Sequence, residues 1–225
     1  MAAPIKPHAA GFTLVELLVS LAILIACLVY LITSLHTARI RHNEESAQAA
    51  LRNILSTESA WRQNDMDGNA LPDYWTADVW GFYACADSDG RPLKLIPLDM
   101  ARSDRDPAGS VAGYTAPRPF FAQKPPSNPV ACNGYLLEAM VKADDGVMYA
   151  QDNFVTDGKA LENVCRFGFA AFPEAYGGTG RNRYIVNEEG VIYDSDNGPA
   201  PPINTTNWPA PDTSPSSKPP WHIPR

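Results

Sequence analysis

Histidine is scarce in this sequence, and its distribution excludes several kinds of active site. The 225-residue chain has four histidines, and none lies between His42 and His222. Ser-His-Asp and Cys-His catalytic arrangements need a histidine, and so do mixed Cys/His metal sites. The paired acids Asp144 and Asp145 precede Gly146 and are typical of a turn. The sequence therefore predicts a protein that is not an enzyme, with a carboxylate-only hydrolase as the alternative.

Basic residues are in the minority, and no internal repeat of fixed period is present. The chain has 18 lysines and arginines against 25 aspartates and glutamates, which gives a formal net charge of −7. A surface that binds nucleic acid needs a basic patch, so nucleic acid is not an expected partner. The missing repeat excludes a solenoid.

Cysteines are too few to form a disulfide framework. Of the four, Cys27 lies in an apolar run and is expected to behave as a small apolar residue. At most one pair can form among the other three. Because Cys85 and Cys132 lie in loop-like sequence whereas Cys165 opens an apolar strand, we expect a Cys85–Cys132 disulfide and a buried Cys165 thiol.

Charge is almost absent between residues 12 and 35. Glu16 is the one side chain there that carries a charge at neutral pH. An apolar helix of about 20 residues spans roughly 30 Å, the thickness of a bilayer core. We therefore expect a transmembrane helix at residues 12–35. A carboxylate inside such a helix costs about 2.5–3.5 kcal/mol, so Glu16 needs a partner or an interfacial position.

Glycine and proline are absent from residues 12–63, and an amphipathic pattern follows the apolar run. Apolar residues recur with helical spacing on one face, while Glu44, Glu45, Gln48 and Arg52 occupy the other. The apolar positions are Ala47, Ala50, Leu51, Ile54, Leu55 and Trp61. This pattern predicts one continuous helix of about 50 residues, with a break near Ser34 as the alternative.

The start of the apolar run carries a recognisable motif. Its residues are Gly11, Phe12, Thr13, Leu14 and Glu16, placed after a short leader. They resemble the class III signal of type IV pilins and type II secretion pseudopilins. The resemblance implies that a prepilin peptidase cuts between Gly11 and Phe12 and N-methylates Phe12. It also implies that Glu16 pairs with the N-terminal amine of a neighbouring subunit during assembly.

This resemblance implies a function, a location and a set of partners. The expected protein is a structural subunit of a pilus-like filament, with a type II secretion pseudopilin favoured. It would cross the bacterial inner membrane once, with its head in the periplasm or another extracytoplasmic space, and would form a filament after assembly. Its expected contacts are the bilayer, other pilin or pseudopilin subunits and an inner-membrane assembly platform. The alternative is a singly anchored exported protein that binds calcium or acts as an adhesin. Glu16 discriminates the two, because an isolated anchor is expected to gain nothing from a buried acid.

A loop dense in acids and turn-forming residues follows the helix. Asp65, Asp67, Asn69, Leu71 and Asp73 occupy relative positions one, three, five, seven and nine of an EF-hand-like loop. Calcium suits oxygen ligands at this spacing, so we expect a weak calcium site. The match is incomplete, because Ala70 replaces the usual glycine and Thr76 the usual glutamate. A solvated turn that ends the helix is the alternative.

Short strand signals follow the acidic loop. Residues 93–98, 134–141, 147–150 and 164–172 are strand candidates, and residues 183–187 and 191–194 form a predicted hairpin. Trp75 and Trp80 are expected to pack the loop onto the head, with a ligand platform as the alternative. We therefore predict an α+β fold, in which a long N-terminal transmembrane and amphipathic helix packs against a small antiparallel β-sheet head, as in pilins.

Nine prolines lie in residues 197–225, which predicts an extended or disordered tail. The predicted organisation is a leader at residues 1–11, a transmembrane helix at 12–35, the amphipathic half of that helix at 36–63, a globular head at 64–196 and the tail at 197–225.

Overall fold

A computed structural model describes residues 12–66, 71–87, 89–107, 122–143, 146–147, 149, 162–196, 198 and 223–224. The predictions for the leader, for Asp67 and Asn69, and for most of the tail lie outside these residues. The chain forms two compact units, Met1–Arg39 and Ile40–Arg225, and each is described by itself.

Helix α1 spans Leu14–Asn64 without interruption at Ser34, which confirms the prediction of one continuous helix. Its length follows from the absence of glycine and proline, since both weaken helix interiors. The helix ends where Asp65 adopts a φ of 46°, a left-handed conformation that helices commonly use to terminate.

The first unit contains the apolar part of α1. All residues from Phe12 to Arg39 are exposed, including large apolar side chains such as Leu14, Ile23 and Leu35. Among the described residues, α1 is the helix that is long and apolar enough to cross a membrane. An exposed apolar surface of this length is typical of a segment that faces lipid.

The second unit contains an antiparallel sheet of four strands. They are β2 (Tyr135–Ala139), β4 (Gly168–Pro173), β5 (Arg183–Asn187) and β6 (Ile192–Ser195), in the order β2-β4-β5-β6. The predicted hairpin is confirmed, because β5 and β6 pair and Gly190 supplies a φ of 74° in the turn between them. The α+β class is also confirmed.

The sheet packs against the second part of α1. Leu51 and Ile54 are fully buried, and Ala47 and Trp61 are nearly so, as the amphipathic pattern predicts. They form one apolar cluster with alternate residues of the strands. These strand residues are Leu137, Phe169, Ala171, Tyr184 and Val186. The helix thus supplies one wall of the head's core.

Two short helices and a small strand pair were missed by the sequence patterns. Strand β1 (Tyr74–Trp75) pairs with β3 (Glu162–Asn163), and helices α2 (Gly81–Ala84) and α3 (Leu98–Arg102) follow β1 in the chain. Trp75 and Trp80 are 0% and 3% exposed, so both indoles belong to the core and do not form a surface platform.

The strand predicted at residues 93–98 is wrong. The backbone N–H groups of Leu93 and Leu95 donate to the carbonyls of Cys85 and Phe82, at 2.8 Å in both cases. Lys94, between them, has a φ of 53°, which interrupts any extended run. The apolar pattern reflects packing on α2, since no described strand pairs with this segment.

The strand predicted at residues 164–172 begins late, at Gly168. The side-chain Oδ1 of Asn163 accepts hydrogen bonds from the backbone of Cys165 and Arg166, at 2.8 and 3.0 Å. This turn of the Asx type removes the residues after Asn163 from the ladder. The turn predicted before Val147 forms, because Ala143 donates to the Val147 carbonyl at 2.8 Å.

Two polar residues of α1 hold the loop between β4 and β5. Asn43 Nδ2 donates to the Thr179 carbonyl at 2.7 Å. Glu44 Oε1 accepts hydrogen bonds from the backbone N–H groups of Arg181 and Asn182 at 3.0 and 3.3 Å. The helix therefore contributes hydrogen bonds as well as apolar contacts to the head.

Candidate assembly site and acidic core

The N-terminus of α1 is closed by a reciprocal pair of hydrogen bonds. The helix begins at Leu14, which makes Thr13 the N-cap and Glu16 the third helical residue. The Glu16 N–H donates to Thr13 Oγ1 at 3.2 Å, and the Thr13 N–H donates to Glu16 Oε2 at 2.9 Å. This is a capping box, which satisfies two of the backbone donors that a helix start leaves open. Inside a lipid bilayer these hydrogen bonds matter more than in water, because no water is present to accept from an unpaired N–H group.

The Glu16 carboxylate is held through one of its two oxygens. Thr13 Oγ1 also donates to Glu16 Oε2, at 2.8 Å, so both Thr13 donors converge on the same oxygen. Within the described part of the chain, Oε1 has no hydrogen-bond partner. Phe12, next to the cap, is 76% exposed, and Gly11 lies outside the described residues. Among the described residues, the hydrogen bonds to this carboxylate therefore use Oε2 alone.

The capping box corrects one step of the sequence argument. An isolated anchor does gain something from Glu16, because this side chain helps to start the helix. The Thr-x-x-Glu spacing of Thr13 and Glu16 carries this signal, and the sequence interpretation above missed it.

A second glutamate of α1 lies in the core of the head. Glu58 is fully buried, and its Oε2 accepts a hydrogen bond from the Trp75 N–H at 3.1 Å. Its Oε1 has no hydrogen-bond partner in the described structure. Burial raises the pKa of Glu58 well above its ordinary value; the Trp75 hydrogen bond opposes this, and the Asp73 carboxylate adds to it. Glu58 is therefore favoured in its neutral form.

Aromatic rings surround this part of the helix. The Trp61 ring lies 5.2 Å from the Trp75 ring and 6.1 Å from the Phe82 ring, measured between centroids. Gly81 lies against the Trp75 ring so closely that a Cβ there would overlap it. Such surroundings have a low dielectric response, which explains why a charge on Glu58 is disfavoured.

Two buried aspartates fix the segment between β1 and α2. Asp104 Oδ2 accepts hydrogen bonds from the backbone of Val79 and Trp80, both at 2.7 Å, and its Oδ1 accepts one from Asp106 at 3.2 Å. Asp78 Oδ1 accepts the Gly81 N–H at 2.7 Å. Burial and the Asp78 carboxyl raise the pKa of Asp104, while its three backbone donors oppose that rise. The sequence patterns did not indicate this pair.

Three residues of the predicted calcium loop lie within the described structure. Asp65 follows the helix, Leu71 is half-buried, and Asp73 is 1% exposed. Their donor atoms are oxygens, which fit a hard cation. A cation bound by Asp73 would contact the interior of the head and not only the solvent face of the loop.

The structure corrects the cysteine prediction. Cys132 is a half-buried thiol that donates to Asp99 Oδ2 at 3.8 Å, so it does not form the expected disulfide with Cys85. Cys85 ends α2 and its side chain lies in the core, 2% exposed. Cys165 is exposed and not buried, because the Asn163 turn takes it out of the sheet.

Comparison with known families gives two matches. Residues 6–30 match the prokaryotic N-terminal methylation motif, a range that includes the expected cleavage site and the capping box. Residues 32–208 match the family described as "Protein of unknown function (DUF2950)", a description that assigns no activity. No curated protein and no solved structure matches the chain. The motif implies processing by prepilin peptidase and assembly with other pilin subunits. The chain therefore belongs to the DUF2950 family, and it is a type IV pilin-like protein with a prepilin-type signal.

Proposed function

We propose that this protein is a type II secretion pseudopilin. It would be a single-pass subunit of the bacterial inner membrane, with its head in the periplasm. Processing would occur between Gly11 and Phe12, with N-methylation of Phe12, and assembly would use other subunits and an inner-membrane platform. The observation that carries the proposal is the Glu16 carboxylate, which keeps an open oxygen in a segment that is otherwise uncharged from Phe12 to Leu35.

A comparison of free energies indicates that Glu16 needs a partner in addition to Thr13. A helix cap contributes about 0.5–2 kcal/mol, whereas an acid within a membrane helix costs about 2.5–3.5 kcal/mol. The capping box of Thr13 and Glu16 offsets only part of that cost. A neighbour's N-terminal ammonium group supplies the remainder, because opposite charges attract strongly in low dielectric.

Two substitutions separate the charge from the cap. Glutamine at position 16 can still complete a capping box but carries no charge, whereas leucine loses both. We expect Glu16→Gln and Glu16→Leu to insert into the membrane normally and to fail in assembly. The measurement is the fraction of full-length protein recovered in cross-linked assemblies from cells with the native machinery. Glu45→Gln, at an exposed acid of the same helix, is the matched control.

Processing provides an independent check. We expect intact-mass spectrometry of the native protein to show a chain that begins with N-methylated Phe12. Gly11→Ala should block or slow the cut. A native chain that still begins at Met1 would contradict this part of the proposal.

Imaging of the native assembly separates a pseudopilus from a pilus. A short periplasmic filament would support the proposed secretion pseudopilin. A long surface filament would instead indicate a type IV pilin. In either case Glu16 keeps the same role.

The capping box also favours a second candidate, a singly anchored exported protein that binds calcium or acts as an adhesin. In that protein Glu16 would serve only to start the helix. Glu16→Gln would then leave function unchanged, because the cap survives. Normal recovery of Glu16→Gln in assemblies, or the absence of assemblies from cells with the native protein, would favour this candidate.

We also propose that the loop after α1 binds calcium weakly. The proposed ligands are Asp65, Asp67, Asn69, Asp73 and the carbonyl of Leu71. Supporting it are the oxygen donors of this loop and their spacing.

A further inference from the structure

We propose that Glu58 and Asp73 bind one calcium ion in the interior of the head. The inference rests on the proposed calcium binding after α1, because it adds a ligand from the helix itself to that site. Glu58 would supply the carboxylate that the loop lacks at its twelfth position, which Thr76 occupies. The ion would then link the last turns of α1 to the chain that enters β1.

Contacts from one face of α1 hold the chain on both sides of Asp73. Before it, the Pro72 carbonyl accepts a hydrogen bond from Arg62 Nε at 3.1 Å. After it, the Trp75 N–H donates to Glu58 Oε2 at 3.1 Å. Glu58 and Arg62 are four residues apart, so they are neighbours on the helix surface. Asp73 is therefore held beside Glu58, and both side chains are buried.

Glu58 has a carboxyl oxygen without a partner in this interior. Among the described residues, Oε1 accepts no hydrogen bond and Glu58 takes part in no ion pair. A buried acid of this kind costs free energy unless a proton or a cation compensates for it. The neighbouring Asp73 adds a second acid, which acts electrostatically on Glu58. A cation between the two would satisfy Oε1 and offset both charges.

The basic residue one turn after Glu58 does not supply this charge. The Arg62 guanidinium lies over the Tyr74 ring, with 4.8 Å between its Cζ and the ring centroid. Its Nη1 donates to the Tyr74 hydroxyl at 2.7 Å, and the side chain is exposed. Calcium suits the remaining place, because it is a hard cation that takes about six to eight oxygen ligands, with carboxylates among them.

The alternative is that Glu58 keeps a proton and binds no metal. Glutamine at position 58 separates the two roles. Its side chain has nearly the same size and can still accept from the Trp75 N–H, but it has no charge to offer a cation. A protonated acid therefore tolerates the exchange, whereas a calcium ligand does not.

The experiment titrates the full-length chain in detergent with terbium(III), a luminescent substitute for calcium, and then displaces the terbium with calcium. Indole rings excite bound terbium, and Trp75 lies in direct contact with Glu58. We expect Glu58→Gln and Asp73→Asn each to weaken the affinity at least about tenfold. Glu45→Gln, at an exposed acid of the same helix, is the matched control and should leave the affinity unchanged.

A second measurement needs no variant and covers the case in which Glu58→Gln does not fold, which circular dichroism detects. A carboxylate must lose its proton to bind a metal ion. The infrared difference spectrum of the unmodified chain should therefore show the loss of a protonated carboxyl band when calcium is added. A spectrum in which calcium binds without that loss would overturn the inference.

The outcomes distinguish this inference from the calcium site on which it rests. If neither terbium nor calcium binds to the unmodified chain, both fail. If Asp67→Ala abolishes calcium binding while Glu58→Gln binds as tightly as the unmodified chain, only the inference is overturned. Equal weakening in Glu58→Gln and Glu45→Gln also overturns it, because the effect then reflects the net charge of the chain alone.

Discussion

Helix α1 contains two glutamates in apolar surroundings, and they are held in opposite ways. Glu16 lies at the helix start, on a fully exposed segment, and Thr13 gives it two donors. Glu58 lies in the core of the head and receives a single hydrogen bond, from Trp75. Of these two glutamates, the buried one therefore has fewer donors.

This difference shows what each acid is suited to do. A carboxylate with several N–H and O–H donors can keep its charge, and a charge is useful for binding a cationic partner. A buried carboxyl with one donor is more stable when neutral, and it then acts as a polar link between the helix and the β1 segment. Glu16 is therefore suited to the proposed role in recognition, and Glu58 to a structural one.

The largest expected effect concerns the aromatic surroundings of Glu58 in the core of the head. Trp61→Ala removes a ring that packs on Trp75 and Phe82, and we expect a loss of about 3–5 kcal/mol in the free energy of unfolding of the head. Leu24→Ala, at a 57% exposed position of the first unit, should leave that free energy unchanged. Chemical denaturation of the full chain in detergent, followed by circular dichroism, measures both. Equal losses would show that the two parts of α1 are not distinct.

A smaller effect extends the comparison to an acid with three donors. Asp104→Asn replaces one acceptor oxygen with an NH₂ group, which cannot accept, so either the Val79 and Trp80 hydrogen bonds or the Asp106 hydrogen bond is lost. We expect a loss of about 1–3 kcal/mol in the free energy of unfolding. The exposed substitution Asp89→Asn is the control. Unchanged stability of Asp104→Asn would mean that the three hydrogen bonds contribute little.

The pH dependence of stability sharpens the contrast for Glu58. Its pKa is raised in the folded state, so its contribution is fully present below the ordinary carboxyl pKa of about 4.3 and is lost as the pH rises through the folded-state value. We expect the stability of Glu58→Gln to fall less as the pH rises. The difference in the free energy of unfolding should be about 1.4 kcal/mol for each unit by which folding raises the Glu58 pKa. Unfolding curves at a series of pH values measure it. If stability falls as steeply with rising pH in Glu58→Gln as in the Glu45→Gln control, the raised pKa of Glu58 does not cause the fall.

Calcium gives the smallest expected effect. A site with a Kd of about 10⁻⁴–10⁻³ M stabilises the folded state by about 0.4 kcal/mol when free calcium equals Kd, and by more above it. The full chain should therefore melt slightly higher in millimolar calcium than in chelator. Asp67→Ala should abolish the difference. Identical melting curves for the unmodified chain would identify the loop as an ordinary acidic turn.

Long-range periodicity made α1 and the β5–β6 hairpin predictable. Both depend on patterns that a sequence displays directly, namely the absence of glycine and proline from residues 12–63 and a turn centred on Gly190. The prepilin-type signal was predictable for the same reason, because its residues are contiguous.

The errors arose where local hydrogen bonds, from a side chain or from the backbone, override a pattern. Asn163 delays β4, and the segment at Lys94 binds the carbonyls of α2 instead of a strand. The buried acids were missed because their donors come from distant parts of the chain, 25 residues away for Asp104 and Val79. Glu58 alone left a sequence signal, since it interrupts the apolar face between Ile54 and Trp61.

The hydrogen bonds between α1 and the loop before β5 have a kinetic consequence. Asn43 binds Thr179 across 136 residues of sequence, and Glu44 binds Arg181 across 137. Contacts of such separation form late in folding, because a long loop must close first. If the head is exported, as proposed, they also cannot form until residue 181 has crossed the membrane. If the chain is exported from its N-terminus, the anchor is in place before the head can complete its fold, so newly exported subunits pass through a tethered and partly folded stage.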